Sequence, residues 1–108
     1  MTETPMRIAI VTDAWVPQVN GVVRTLQAVT GLLGAWGHEV LVISPDQYRS
    51  LPCPSYPEIR LAFTTGHAIG RRIEDFAPDA VHIATEGPLG LAARKHCVAR
   101  NRRFTTAY

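Results

Sequence analysis

The residues best able to do chemistry in this chain lie in one short segment near its start. They are Asp13, Trp15, Pro17, Asn20 and Gly21. A carboxylate, an indole and an amide offer hydrogen bonds and a stacking surface, and a glycine lets a ligand approach the backbone closely. The segment follows an apolar run at 6–12 and precedes apolar residues with helical spacing. It therefore predicts a loop between a buried strand and a helix, where open α/β sheets bind phosphorylated ligands.

Apolar runs and helical patterns alternate along the rest of the chain. Runs typical of buried strands occupy 6–12, 39–44, 59–63, 79–84 and 103–108, and helices are expected to begin near Gly21, Gly66 and Pro88. The proline-containing segment 46–57 is predicted to be an irregular loop. The alternation predicts an α/β fold, namely a Rossmann-like, doubly wound parallel sheet with strand order 3-2-1-4-5.

Composition narrows the class of protein. A chain of 108 residues with a net charge of +2 predicts at most one domain and no nucleic-acid partner. Cys53 and Cys97 fit no metal or redox spacing, which indicates free thiols in a reducing compartment, and no apolar run approaches the ~20 residues of a membrane span. We expect a cytoplasmic protein. The basic segment 91–103 is either a solvated helix face or a peripheral contact with the inner face of a membrane.

The loop after the first strand excludes two common nucleotide sites. It contains one glycine, Gly21, so it lacks the G-x-G-x-x-G pattern of dinucleotide-binding proteins, and the chain has no P-loop sequence. An NAD-dependent dehydrogenase is therefore disfavoured. A single glycine at a helix start still allows a phosphate to approach backbone N–H groups.

Several ordered motifs resemble the retaining glycosyltransferases of the GT-B fold. The first motif is Asp13-x-Trp15-x-Pro17-x-x-Asn20-Gly21-Val22, and segments 37–40, 78–90 and 105–108 continue the likeness. It is greatest to bacterial and plant enzymes that move mannose, sulfoquinovose or a related sugar from a nucleotide donor to a lipid or glycan. The resemblance implies that residues 1–108 are part of the N-terminal, acceptor-side domain of such an enzyme.

The resemblance also assigns roles to matching residues. The Gly21 N–H would approach the distal phosphate of a GDP- or UDP-sugar, and Asn20 would shape that turn. The predicted acceptor wall contains Asp13, Trp15, Pro17, Glu86 and Gly87. No cofactor and no metal are expected, because backbone N–H groups can stabilise the leaving phosphate and the chain has no Asp-x-Asp pair.

Two parts of the family pattern have no counterpart in these residues. A catalytic histidine is expected just after Tyr108, and a C-terminal nucleotide-sugar-binding domain is expected beyond it. We therefore predict no catalytic residue within the chain and no transfer by the chain alone. The alternative function is a non-catalytic α/β module that binds a phosphorylated ligand at the same edge.

Each candidate residue also has a structural interpretation. Asp13 can cap its own loop, Trp15 can belong to the core, and Asn20 can act as a helix N-cap. Gly21 can relieve crowding at the helix start. His82, within the fourth predicted strand, is typical of a hydrogen-bonded strand histidine.

Overall fold

The computed structural model describes residues 5–13, 21–47, 49–52, 60–63, 66–85 and 87–106. A short 3-10 turn, Pro45–Gln47, follows the second strand. In chain order the helices and strands are β1 (Arg7–Val11), α1 (Gly21–Ala35), β2 (Glu39–Ile43), β3 (Arg49–Pro52), β4 (Arg60–Phe63), α2 (Gly66–Phe76), β5 (Ala80–Ile83), α3 (Pro88–Ala99) and β6 (Thr105–Thr106).

The strand β1 is an inner strand of a four-stranded parallel sheet with the order β2-β1-β5-β6. Ile8 lies opposite Val40 of β2 on one side and Ala80 of β5 on the other. The pairing continues past the carboxyl end of β1, where the Thr12 N–H donates to the Ile43 carbonyl at 3.0 Å. The apolar sequence of β1 suits this position, because inner strands of parallel sheets are covered on both faces.

Different helices cover the two faces of this sheet. One face packs against α2 and α3. The other face lies under α1, which buries Val23 and Leu26. Helices on both faces of a parallel sheet form the doubly wound α/β arrangement that the sequence predicts. The buried core lies between the sheet and the helices α2 and α3. It comprises Ala9, Val11, Ile43, Ile69, Ile73, Val81, Ile83, Leu89, Ala93 and Cys97.

The observed strand order differs from the predicted 3-2-1-4-5 at one strand. Four predicted strands lie in the predicted order, as β2-β1-β5-β6, but β4 pairs antiparallel with β3 in a separate two-stranded sheet. The interpretation of 46–57 as an irregular loop is corrected as well, since β3 lies within it. Parallel neighbours need a long crossover, usually a helix, whereas strands close in sequence can pair antiparallel. Between β2 and β4 the described residues contain the 3-10 turn and β3 but no α-helix.

The helix α1 ends in a glycine turn. Gly37 has a φ of +91°, which only glycine adopts without steric cost. Its N–H donates to the Gly34 carbonyl at 3.0 Å, and the His38 N–H donates to the Leu33 carbonyl at 3.0 Å. This pair of bonds satisfies the last carbonyls of the helix and turns the chain into β2.

The first turn of α3 lies very close to the end of β5. A Cβ atom on Gly90 would stand 1.8 Å from the Thr85 carbonyl oxygen and 3.3 Å from Cγ2 of Ile83. The nearest obstacle is backbone, which cannot rotate away as a side chain can. The helix can therefore adopt this position only because residue 90 is a glycine.

We expect Gly90→Ala to lower the free energy of unfolding by about 2 kcal/mol or more, because the helix and the strand end must separate. Gly34→Ala is the matched control. A Cβ there would meet no atom within 4 Å, so this substitution should leave stability equal or raise it by roughly 0.5–1 kcal/mol. Urea unfolding at constant pH measures both, and equal stabilities for the two variants would contradict the close approach.

Candidate functional site

The carboxyl ends of β1 and β5 lie side by side, since the two strands are parallel neighbours. Their pairing extends one residue further, with the Ala84 N–H donating to the Val11 carbonyl at 2.8 Å. The segments that follow these strands, beginning at Asp13 and Thr85, therefore start at the same edge. The predicted site residues Trp15, Pro17, Asn20 and Glu86 lie outside the described residues.

Asp13 lies at this edge as a buried carboxylate with 4% of its surface exposed. Its Oδ1 accepts a hydrogen bond from the Leu89 N–H at 2.8 Å, and its Oδ2 accepts one from the Gly90 N–H at 3.2 Å. The Thr85 hydroxyl donates to Oδ2 at 2.6 Å, while the Asp13 N–H donates to that hydroxyl at 2.7 Å. Three donors from the segment after β5 thus bind one carboxylate from the segment after β1.

These bonds make Asp13 the cap of α3. The residue at the N-cap position, Gly87, has no side chain to cap the helix, and Pro88 has no N–H. Leu89 and Gly90 carry the first-turn N–H groups that a capping oxygen satisfies. Of the two roles predicted for Asp13, the structure shows a cap, although on α3 rather than on its own loop. The predicted contact with an acceptor stays a prediction.

Gly87 is brought directly against this carboxylate. A Cβ atom on Gly87 would lie 2.3 Å from Cγ of Asp13 and within 2.7 Å of both carboxylate oxygens. A larger residue would displace the cap. Contact with the Asp13 carboxylate therefore explains why residue 87 is a glycine. Its predicted contact with substrate remains a prediction.

Gly21 is the first residue of α1 and is exposed. A Cβ atom added there would meet nothing within 4 Å, so relief of crowding within the described residues does not explain this glycine. The first turn of α1 contains no acidic residue. The positive end of a helix dipole is a favourable place for an anion in general.

A cavity of about 580 Å³ separates α1 from the sheet. It reaches from Gly21 to the side chains of β1 and β5, on the face opposite the main core. Sequence reasoning did not predict it, because helical periodicity shows that one face of α1 is apolar but not how closely that face packs. The cavity is lined by Ile8, Ile10, Gly21, Thr25, Leu26, Val29, Leu33, His82 and Ala84.

His82 is a polar group in this otherwise mainly apolar lining. Its Nδ1 lies 2.8 Å from the hydroxyl oxygen of Thr105, in the neighbouring strand β6. Burial lowers the pKa of the imidazole, because removal from water disfavours the charged form. The structure thus agrees with the interpretation of His82 as a hydrogen-bonded strand histidine.

A second titratable cluster joins α2 to α3 at the other end of the sheet. Glu74 accepts from Arg102 through both carboxylate oxygens, at 3.2 and 2.6 Å, and lies 3.0 Å from Nε2 of His96. Arg102 also donates to the Pro78 carbonyl, just before β5, at 3.1 Å. The bonds from Arg102 and then His96 lower the pKa of Glu74 to about 2. This cluster fixes the packing of the two helices and lies away from the carboxyl edge.

The described part of the chain contains neither a metal-binding cluster nor a membrane-spanning helix. No group of three or more His, Cys, Asp or Glu side chains there has an arrangement that could hold a metal ion. No helix in the described ranges is both long and apolar enough to cross a membrane.

Comparison with known families gives a match over most of the chain. The sequence model of Glycosyltransferase Family 4 matches residues 19–108. The chain belongs to Glycosyltransferase Family 4. The match includes Gly21 and Gly87 but begins after Asp13. The family predicted from the ordered motifs is thereby confirmed, and the α/β fold agrees with a Rossmann-like N-terminal half of a GT-B glycosyltransferase.

Curated relatives of this family member carry glycosyltransferase names. A GDP-mannose-dependent alpha-mannosyltransferase of Mycolicibacterium smegmatis is 34% identical over 84% of this chain and 30% of its own length. One of the same name from Corynebacterium glutamicum is 31% identical, over 82% of this chain and 25% of its own length. The alpha-monoglucosyldiacylglycerol synthase of Acholeplasma laidlawii is 32% identical over 95% of this chain and 29% of its own length. The chain thus spans less than a third of these relatives, and no solved structure matches it significantly.

The role of Asp13 in capping α3 is the feature of this family member that sequence reasoning missed. A local signal for it exists. The start of α3, Gly87-Pro88, lacks the Ser, Thr, Asp or Asn that normally caps a helix. A helix without a local cap indicates that a more distant group satisfies its first N–H groups, and an acidic residue directly after a buried strand is a candidate.

The Glu74 cluster makes stability depend on pH in a defined range. Because the folded-state pKa of about 2 lies below the ordinary 4.5, the ionised carboxylate stabilises the fold above about pH 4.5. That contribution is lost as the pH falls toward 2. We expect Glu74→Gln to be less stable than the unsubstituted chain at pH 7, with the difference narrowing below pH 4.5.

Urea unfolding midpoints measured between pH 7 and pH 2 test this expectation. The neighbouring exposed residue provides a matched control, since Asp75→Asn removes the same charge without touching the cluster and should keep the acid-induced loss of stability. A Glu74→Gln variant whose midpoint falls with acid as steeply as the unsubstituted chain would contradict the assignment.

Proposed function

We propose that this chain forms the acceptor-side wall of the active cleft of a retaining glycosyltransferase. The enzyme would move mannose or a related sugar from a nucleotide-sugar donor to a lipid or glycan. The observation that carries the proposal is the difference between two helix N-termini at one sheet edge. The first turn of α3 is occupied by the Asp13 carboxylate, whereas Gly21 at the start of α1 is exposed and no described atom lies within 4 Å of the place of its missing Cβ.

The donor's distal phosphate would bind at the start of α1. Without a side chain at Gly21, a phosphate oxygen can reach the backbone N–H groups, and Asn20 would shape the turn before them. The names of the mycobacterial and corynebacterial relatives support GDP-mannose as the first donor to test. We propose no metal and no other cofactor, because a helix N-terminus stabilises a diphosphate leaving group by itself.

The acceptor would lie against the loops that follow β1 and β5. Trp15 and Pro17 in the first loop, and Glu86 and Gly87 in the second, would form this wall. In retaining transfer the acceptor hydroxyl attacks the sugar on the face from which the diphosphate leaves, and the leaving phosphate takes the hydroxyl proton. We assign the catalytic histidine and the nucleotide-sugar-binding domain to sequence beyond residues 1–108, so transfer would need the longer protein.

Gly21→Val in the full-length protein tests the phosphate position. The valine side chain would occupy open space, so folding should be preserved, but it would exclude the phosphate from the N–H groups. We expect GDP release from GDP-mannose to fall about 100-fold or more, the usual effect of losing an anion-stabilising donor.

Gly31→Val is the matched control, because Gly31 is another α1 glycine at which a Cβ would meet nothing within 4 Å. It should retain turnover, and both variants should melt near the unsubstituted protein. Turnover by Gly21→Val within a few-fold of the unsubstituted rate would contradict the phosphate position. Binding of GDP without any turnover by the unsubstituted full-length protein would favour the non-catalytic module instead.

We also propose that one face of α3 contacts an anionic membrane surface. Leu91 and Val98 are exposed at 47% and 66%, and the exposed cations Arg94 and Lys95 lie between them at helical spacing. Apolar side chains flanked by cations are typical of helices that lie on anionic lipid. A cytoplasmic protein held peripherally at the inner membrane face would suit a lipid acceptor.

Lys95→Glu tests this contact in sedimentation with phosphatidylcholine vesicles that contain phosphatidylglycerol. We expect the partition coefficient to fall about fivefold or more, since one cation near such a surface contributes about 1 kcal/mol. Arg24→Glu, the same charge reversal at an exposed residue of α1, should keep binding. Equal losses in both variants, or equal binding to vesicles of phosphatidylcholine alone, would exclude a specific α3 contact.

A further inference from the structure

We propose that Asp13 is a positioning residue for the transfer reaction. Its carboxylate fixes the loop after β1 and the loop after β5 to each other and to α3, and it acts on substrate only through those loops. This inference rests on the proposed function. The supporting observation is that Asp13 is only 4% exposed and that its carboxylate is hydrogen-bonded to groups of the protein itself.

The bonds between Asp13 and Thr85 form a closed pair. The Asp13 N–H donates to the Thr85 hydroxyl oxygen at 2.7 Å, and that hydroxyl returns its proton to Oδ2 of Asp13 at 2.6 Å. Each residue is the first or second residue after its strand's pairing ends. The pair therefore sets where both loops leave the sheet, which backbone pairing alone does not do.

The Asp13 carboxylate, the Thr85 segment and the start of α3 are closely packed. A Cβ on Gly87 would overlap Asp13, and a Cβ on Gly90 would overlap the Thr85 carbonyl. Two glycines thus allow the carboxylate, the hydroxyl and the helix start to meet in contact. A side chain packed this closely cannot turn outward to an acceptor without breaking the cap of α3.

The residues proposed to contact substrate follow this pair directly in sequence. Trp15 and Pro17 come two and four residues after Asp13, and Glu86 comes next after Thr85. Positioning matters energetically, because a displacement of about 1 Å at a reacting group can cost about 100-fold in rate. Loss of the pair should therefore slow the reaction even though neither residue touches the sugar.

The test uses the full-length protein and GDP-mannose with water as the only acceptor, so that GDP release reports hydrolysis of the bond between mannose and phosphate. The segment that begins at Asp13 leads to Gly21, the proposed phosphate position, so this readout includes the effect of positioning on the donor. Asp13→Asn and Thr85→Val each remove half of the pair with little change of shape. We expect the kcat for GDP release to fall about tenfold in each, with the KM for GDP-mannose changed less than about twofold. Combining the two substitutions should cost no more than the larger single effect, since they break one interaction.

Three controls separate positioning from other roles. Thr85→Ser keeps the hydroxyl and should restore the kcat of the unsubstituted protein. Asp75→Asn removes an exposed acid on α2 and should leave kcat unchanged. Amide hydrogen exchange at Leu89 and Gly90 measures how well their N–H groups are protected by the cap, and it needs no substrate. We expect this exchange to accelerate in Asp13→Asn.

The outcomes are distinguishable. A normal kcat in Thr85→Val beside a reduced one in Asp13→Asn would overturn the inference in favour of direct contact by Asp13. Unchanged kcat in both variants with lowered melting temperatures would overturn it in favour of a purely structural role, and so would unchanged exchange at Leu89 and Gly90. Absence of GDP release from the unsubstituted protein, with water alone and with a lipid or glycan acceptor alike, would overturn the proposed function and, with it, the inference.

Discussion

The buried carboxylate of Asp13 is the interaction on which the candidate site depends. A charge removed from water is tolerated only when hydrogen bonds replace its hydration. Here the replacements are two N–H groups at the start of α3 and one hydroxyl from the end of β5. That requirement fixes the first turn of α3 against the end of β1, and it explains the glycine at 87 and the threonine at 85. One buried side chain thus connects the ends of β1 and β5 to the start of α3.

The same interaction makes the two helix N-termini at this edge unequal. The first turn of α3 is bonded to the Asp13 carboxylate, while Gly21 at the start of α1 is exposed and no described atom lies within 4 Å of the place of its missing Cβ. The proposed phosphate position is therefore on the α1 side. The 580 Å³ cavity also lies on that side, between α1 and the faces of β1 and β5. The tightly packed face of the sheet, covered by α2 and α3, serves as the rigid support.

Local patterns were sufficient to predict most of this fold. The positions of β1, β2 and β5, and the starts of the three helices, follow from apolar runs and helical spacing. The pairing of β3 with β4 did not follow, because β3 is a short strand with little periodic signal and an apolar run such as β4 does not identify its own pairing partner. The cap of α3 was also beyond local reasoning, since Asp13 lies 76 residues before Leu89. Contacts across that separation appear only once the parallel strands are adjacent.

The pairing of Asp13 with Gly87 also changes how the family motifs should be interpreted. Both residues belong to the ordered pattern that resembles glycosyltransferases, and such patterns are usually attributed to substrate contact. Here each residue is explained by its contact with the other. The Asp13 carboxylate occupies space that a side chain at Gly87 would fill, and α3 needs the carboxylate because Gly87 cannot cap the helix. A residue can belong to an active-site motif because it holds the site together. Gly21 differs from both, since no atom of the described chain comes near the place of its missing side chain. That contrast gives Gly21 the stronger physical case for direct contact with a ligand.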